Sequence, residues 1–236
     1  MMRWLIILVM LIPVPQALAD DVDIYLPKYQ AEGGGGQPQV MIIIDTSASM
    51  KTTVTNSQQS RMAVTQEIVD SLVSKHPGIN FALSVFNANT ATIYCHGYSS
   101  NCYASEQFDG GRMVRAFTTA PRQSGSERQA LLNTIGALKA NTSTPLCETM
   151  AEVYRYFTGQ RIEYGRDSGN VSPSRDTKAE ANGVYRSPLR PCENVYVIYM
   201  TDGMPQWDTS ANADIRTLTG KPCGCLLYTS PSPRDS

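Results

Sequence analysis

The sequence predicts an α/β protein built on a doubly wound, mostly parallel sheet flanked by helices. Three observations predict it. Two continuous apolar runs, "VMIII" from Val40 and "VYVIYM" from Val195, have the composition of strands covered on both faces. Each run leads into an acid, Asp45 and Asp202. Between them, strand-like and helix-like stretches alternate, the pattern of parallel strands joined by helical crossovers.

The elements follow in order. Residues 20–39 form a polar N-terminal segment ending in "EGGGGQPQ", a flexible linker by composition. The first buried strand runs into Asp45. From Ser60 to His76, Val64, Ile68, Val69, Leu72 and Val73 recur at helical spacing, and "HPG" stops the helix. "INFALSVFN" alternates Ile79, Phe81, Leu83 and Val85 and predicts a strand, with "TATIYC" close enough to pair with it as a hairpin. A second helix is expected from Ser126, with Leu131, Ile135 and Leu138 on one face. A third begins at "TPLCETM", where Thr144 can cap and Pro145 sits at the first helical position. Its stripe is Leu146, Met150, Val153, Tyr154 and Phe157. Residues 160–193 have no period and many polar, Gly and Pro residues, which predicts an irregular insert. The strand from Val195 completes the readable domain, residues 40–224, and with the first strand it is expected at the sheet's centre.

The chain ends are read differently. "MMR", the apolar "WLIILVMLIPVP" and a small-x-small site ending at Ala19 predict a signal peptide over residues 1–19. A membrane anchor needs about 18 or more apolar residues, and Pro13 and Pro15 interrupt this run, so no transmembrane segment is expected in the mature chain. At the other end, "CLLYTSPSPRD" back-translates in one frame to the adapter string left by transposon-based library preparation. Residues 225–236 are therefore set aside as a sequencing artefact, and the natural protein is expected to continue past residue 224.

Export fits six cysteines, because an oxidising compartment lets them pair. Cys95 and Cys102 flank the short loop "CHGYSSNC" and are the first expected disulfide. Cys147 and Cys192 are a second candidate, although the strand order sets them toward opposite ends of the sheet. Their pairing requires the insert to fold back. The formal charge of −1, with Lys and Arg scattered, lacks the electrostatic footprint of a nucleic-acid binder.

In doubly wound sheets, ligands bind beyond the carboxyl ends of the strands, where the strand order reverses. Asp45, Ser47 and Ser49 follow the first strand, Thr144 precedes a helix, and Asp202 ends the late strand. All offer hard oxygen donors, a set that suits Mg²⁺, with Mn²⁺ or Ca²⁺ as alternatives. Neutral hydroxyls on the ion, with carboxylates held back through water, would leave it electrophilic and open to a partner's Asp or Glu. Singly, each feature has a plainer role: a polar turn at Asp45, a helix cap at Thr144, a turn at Asp202. Their joint order favours a metal site.

"DTSAS", "TPL" and "TDG" resemble the metal-ion-dependent adhesion site of von Willebrand factor type A domains, over about residues 38 to 215. The resemblance implies a Rossmann-like fold, here incomplete at the C-terminus. It also implies that Ser47, Ser49 and Thr144 bind the ion while Asp45 and Asp202 support it. Ala48 stands where that family usually has Gly, which alters backbone freedom and removes no ligand. "TPLCETMAEVYRYFTGQRIEYG", "YRSP" and "VYVIYMTDGMP" further resemble the N-terminal region of PilY/PilC-type type IV pilus biogenesis proteins and tip adhesins. That implies export in a Gram-negative bacterium to the periplasm, outer membrane, pilus tip or cell surface. The implied partners are pilus subunits or a host or abiotic surface.

The leading expectation is thus a non-enzymatic, metal-dependent adhesion and pilus-assembly module. A generic type A binding domain of another exported protein is the alternative. A secreted serine hydrolase using Ser47 or Ser49 is weaker, since His76 and His96 are the only imidazoles and no G-x-S-x-G elbow occurs.

Overall fold

The first apolar run forms strand β1, Gln39–Ile44, with all of its residues buried. The computed structural model describes residues 37–87, 93–95, 102–104, 110–120, 122–165, 172–189, 194–203, 205 and 208–219, with backbone alone at 93–95, 102–104 and 219. The expected signal peptide, most of the N-terminal segment, Cys192 and the tail from 225 lie outside the described residues.

After β1 come α1 (Arg61–Lys75), β2 (Asn80–Asn87), β3 (Ile93–Cys95), β4 (Cys102–Ala104) and β5 (Gly110–Arg115). Then follow α2 (Gly125–Gly136), α3 (Leu146–Thr158), β6 (Glu180–Ala181), β7 (Val184–Tyr185), β8 (Val195–Met200) and α4 (Asn212–Thr219). The main sheet has the order β5-β2-β1-β8. β1 pairs in parallel with both β2 and β8, and β5 runs antiparallel to β2. The protein is α/β, with a mixed, mostly parallel sheet flanked by helices.

The unbroken apolar run of β1 is explained by its two faces. Val40, Ile42 and Ile44 pack with Phe81, Leu83 and Val85 against Met62, Val69 and Val73 of α1 and Leu131 and Ile135 of α2. Met41 and Ile43 point the other way, to Ala82, Phe86 and Met113, and meet Val153 and Tyr156 of α3. Each of these large side chains contributes roughly 1.5–3 kcal/mol by leaving water. Caps fix where the helices start: Ser60 accepts from Ala63 N on α1, and Ser124 with Glu127 forms a capping box on α2.

Several expectations are corrected. The antiparallel partner of β2 is β5, and the strand in "TATIYC" pairs with β4 instead. β5 reads "GGRMVR", and its glycines hide it from a hydrophobic pattern, yet they are required. A Cβ on Gly110 would collide with Tyr164 Cβ, and one on Gly111 would lie 2.9 Å from the Thr149 carbonyl of α3. β8 lies at the edge of the described sheet, with Tyr196 50% and Val197 38% exposed, although its composition suggested a central strand. Leu138 is buried beyond the end of α2, which begins at Gly125.

In α3 the buried face is Glu148, Thr149, Ala151, Glu152, Val153 and Tyr156, whereas Met150 and Tyr154 of the expected stripe are exposed. The carboxylate of Glu152 accepts from Tyr185 Oη at 2.6 Å and from Tyr164 N at 2.8 Å. A buried acid therefore anchors the segment expected to be irregular, whose described part includes the β6–β7 hairpin.

Candidate functional site

The site begins with strand register. Ile44 pairs with Met200 on β8, so the chain leaves both strands at the same level. Because β2 and β8 flank β1 on opposite sides, this is where the strand order reverses. Asp45 N donates to Met200 O at 2.9 Å and continues the ladder by one residue.

Asp45 is fully buried, and its carboxylate is committed. Oδ1 accepts from Ser47 N at 2.7 Å, and Oδ2 accepts from Thr201 Oγ1 at 2.7 Å. It thereby joins the loops that follow β1 and β8. A single 3₁₀ turn, Ala48–Lys51, then places alternate residues on one side. Ser47 Oγ lies 2.8 Å from Ser49 Oγ, and Ser49 Oγ donates to Asp202 Oδ1 at 2.7 Å. The other Asp202 oxygen accepts from Arg61 Nη1 at 2.6 Å. Ala48 is unstrained, since positive φ among described non-glycine residues occurs at Asn56 and Asn182 alone.

Thr144 arrives through a different element. Thr142 forms a parallel bridge with Ser47, and Asn141 N and Thr142 N donate to Thr46 O at 2.7 and 3.0 Å. Two residues on, Thr144 is 4% exposed. It does not cap α3, because the cap position is held by Pro145 and no side chain bonds there. The Thr144 hydroxyl makes no hydrogen bond to Asp45, Ser47, Ser49 or Asp202. Four of the five expected residues therefore form one hydrogen-bonded set, and the fifth stands on a segment bridged to it.

The missing cap of α3 is supplied from elsewhere. Cys147 N donates to Asp208 Oδ1, while Ala211 N, before α4, donates to Glu148 Oε1 at 3.0 Å. Each helix start is thus held by a carboxyl from the other segment. Burial first, and then the hydrogen bond with Glu148, push the Asp208 carboxyl up to about 8. The exchange pins the chain after Asp202 to the start of α3, just past Thr144.

The cysteines are reported in the same terms. Cys147 is disulfide-bonded, and the other cysteine side chains lie outside the described residues. Cys95 stands directly opposite Cys102 across β3 and β4. That backbone register gives a Cα separation of about 4.5–5.5 Å, within the range a disulfide spans.

Sequence reasoning missed Arg61 and Thr201. Thr201 adjoins Asp202 in "TDG" and was open to inspection. Arg61 reaches Asp202 across 141 residues, and no local signal marks it.

The donor set suits a small hard cation. Adjacent ligands in an octahedral Mg²⁺ shell, at about 2.0–2.1 Å from the ion, lie about 2.9 Å apart. Ser47 Oγ and Ser49 Oγ are 2.8 Å apart. Among the described residues no three His, Cys, Asp or Glu side chains gather as a metal cluster. No described helix is long and apolar enough to cross a membrane. No protein-family model matches the chain, and no curated protein matches it significantly.

Proposed function

We propose that residues 40–224 are a type A binding domain that holds a divalent cation, Mg²⁺ before Mn²⁺ or Ca²⁺, and engages a protein partner's Asp or Glu through it. The observation that carries this reading is the spacing of Ser47 Oγ, Ser49 Oγ and Asp202 Oδ1, 2.8 and 2.7 Å apart in sequence, at the point where the strand order reverses. Ser47, Ser49 and Thr144 would hold the ion through neutral oxygens. Asp45, occupied by Ser47 N and Thr201, acts from behind by fixing both loops and lending charge. A bound ion supplies a Lewis-acidic point for a carboxylate. The domain's role is adhesion, without turnover.

Electron paramagnetic resonance of added Mn²⁺ tests it. Saturable loss of the free-ion signal, reversed by excess Mg²⁺, supports the site. A signal that stays that of free Mn²⁺ with protein in molar excess rejects it.

We place the domain in an exported pilus-biogenesis protein or tip adhesin, on the resemblance carried by "TPLCETMAEVYRYFTGQRIEYG" and "VYVIYMTDGMP". Partners are then pilus subunits or a host or abiotic surface. Binding to purified type IV pili that disappears in EDTA is the expected result. Pilus binding indifferent to EDTA would keep the pilus partner and remove the metal from it, and no pilus binding would favour a type A domain of another exported protein.

A further inference from the structure

A groove of about 430 Å³ lies beside the candidate site, between α1 and the segment leading from α2 to Thr142. Met62, Leu138 and Ala140 give it an apolar floor, and Lys51, Lys139 and Asn141 stand on its walls. It shares its rim with the site. Lys51 ends the 3₁₀ turn two residues after Ser49, and Asn141 N donates to Thr46 O at 2.7 Å. Both lysines are exposed, and neither has an ion-pair partner among the described residues. The carbonyls at the end of α2 do not need them, because Gln66 Nε2 donates to Ile135 O at 2.8 Å and to Leu138 O at 3.2 Å.

We infer that this groove binds the acidic flank of the partner segment whose carboxylate meets the cation, with Lys51 and Lys139 as its specificity determinants. The inference rests on the proposed metal-dependent binding and extends it from one carboxylate to a chemical class of ligand. Charge selects the occupant: two free ammonium groups above an apolar floor favour a chain with Asp or Glu next to small apolar residues. Paired charges at an exposed rim speed and select encounter more than they strengthen the bound state, so the effect is modest and sensitive to salt.

The test uses acetylated Gly/Ser peptides, one with a single Asp and a series adding a Glu pair at increasing spacing on either side. Affinities are measured on the full chain with Mg²⁺ and with EDTA. In Mg²⁺ the best Glu-pair peptide is expected to bind about three- to tenfold tighter than the single-Asp peptide. The Lys51→Glu, Lys139→Glu double variant should lose that advantage and retain single-Asp binding, and the double Arg variant should keep both. Equal affinity for all peptides in Mg²⁺, an advantage that survives charge reversal, or no binding of any peptide overturns the groove. A Glu-pair advantage that persists in EDTA and vanishes on charge reversal supports the groove while removing the metal from the account.

Discussion

Arg61 Nη1 sits 2.6 Å from Asp202 Oδ2, while Oδ1 of the same carboxylate accepts from Ser49 at 2.7 Å. One carboxylate is thus shared between a fixed cation and the hydroxyl set where a mobile cation would bind. Arg61 is 41% exposed on its side chain, so the pair is a screened one. Its removal leaves Asp202 with more charge to offer. Arg61→Ala is expected to raise Mg²⁺ affinity about two- to fivefold by calorimetric titration. A weaker affinity would show that Arg61 positions Asp202 rather than competing for its charge, and an unchanged one that it does neither.

The reciprocal capping of α3 and α4 makes stability depend on pH. The Asp208 carboxyl is raised from an ordinary value of 3.8 to about 8 by burial, with the hydrogen bond to Glu148 second. A group raised on folding binds more protons in the folded state. Its contribution is therefore complete below about pH 4 and is lost as pH rises through about 8. Denaturant midpoints between pH 4 and 8 should fall for the wild type relative to Asp208→Asn, which keeps a neutral partner for Glu148. Parallel profiles for the two proteins would remove Asp208 as the cause.

Gly110 permits the approach of Tyr164, and through it the seat of the segment that Glu152 holds. A methyl group at Gly110 collides with Tyr164 Cβ, whereas one at Gly136 meets nothing within 4 Å. Gly110→Ala should destabilise by about 1–3 kcal/mol or more, and Gly136→Ala should be neutral or slightly stabilising. Equal urea midpoints for both variants would contradict the close approach.

The legibility of the fold follows from which forces are local. β1 was readable because burial on both faces removes the need for alternation, and α1 because apolar residues repeat at helical spacing, although of the expected stripe only Val69 and Val73 are buried, beside Met62 and Thr65, and Ile68 is exposed. β5 was not, since its two glycines answer to α3 and Tyr164, far away in sequence. The face of α3 was misjudged for a related reason: Glu148 and Glu152 are buried by virtue of their partners, Ala211 N, Tyr185 and Tyr164, which lie outside the helix. In the candidate site, Asp45, Ser47 and Ser49 share one loop and could be read together. Thr144 and Asp202 needed the strand order, and Arg61 needed the fold itself.

β8 was misplaced in the sheet because apolar composition reports what a strand can bury, and not what covers it. Its described outer edge is unpaired, and Tyr196 and Val197 are exposed, the pattern that invites edge-to-edge pairing. The 236-residue chain is expected to self-associate at micromolar concentration, and Val197→Lys to suppress this, as read by static light scattering. A wild-type chain that stays monomeric would contradict the prediction.

The central claim is that the hydroxyls of Ser47, Ser49 and Thr144 hold a divalent cation, and Thr144 tests it most directly. Its hydroxyl neither caps α3 nor bonds to the other four residues, so Thr144→Ala removes a donor without removing a hydrogen bond of the set. Mg²⁺ titration by calorimetry of the wild type and Thr144→Ala, matched for urea midpoint, is the measurement. The account predicts saturable binding in the wild type and affinity lower by about tenfold or more in the variant. Equal affinity in two equally stable proteins, or no binding in either, would contradict it.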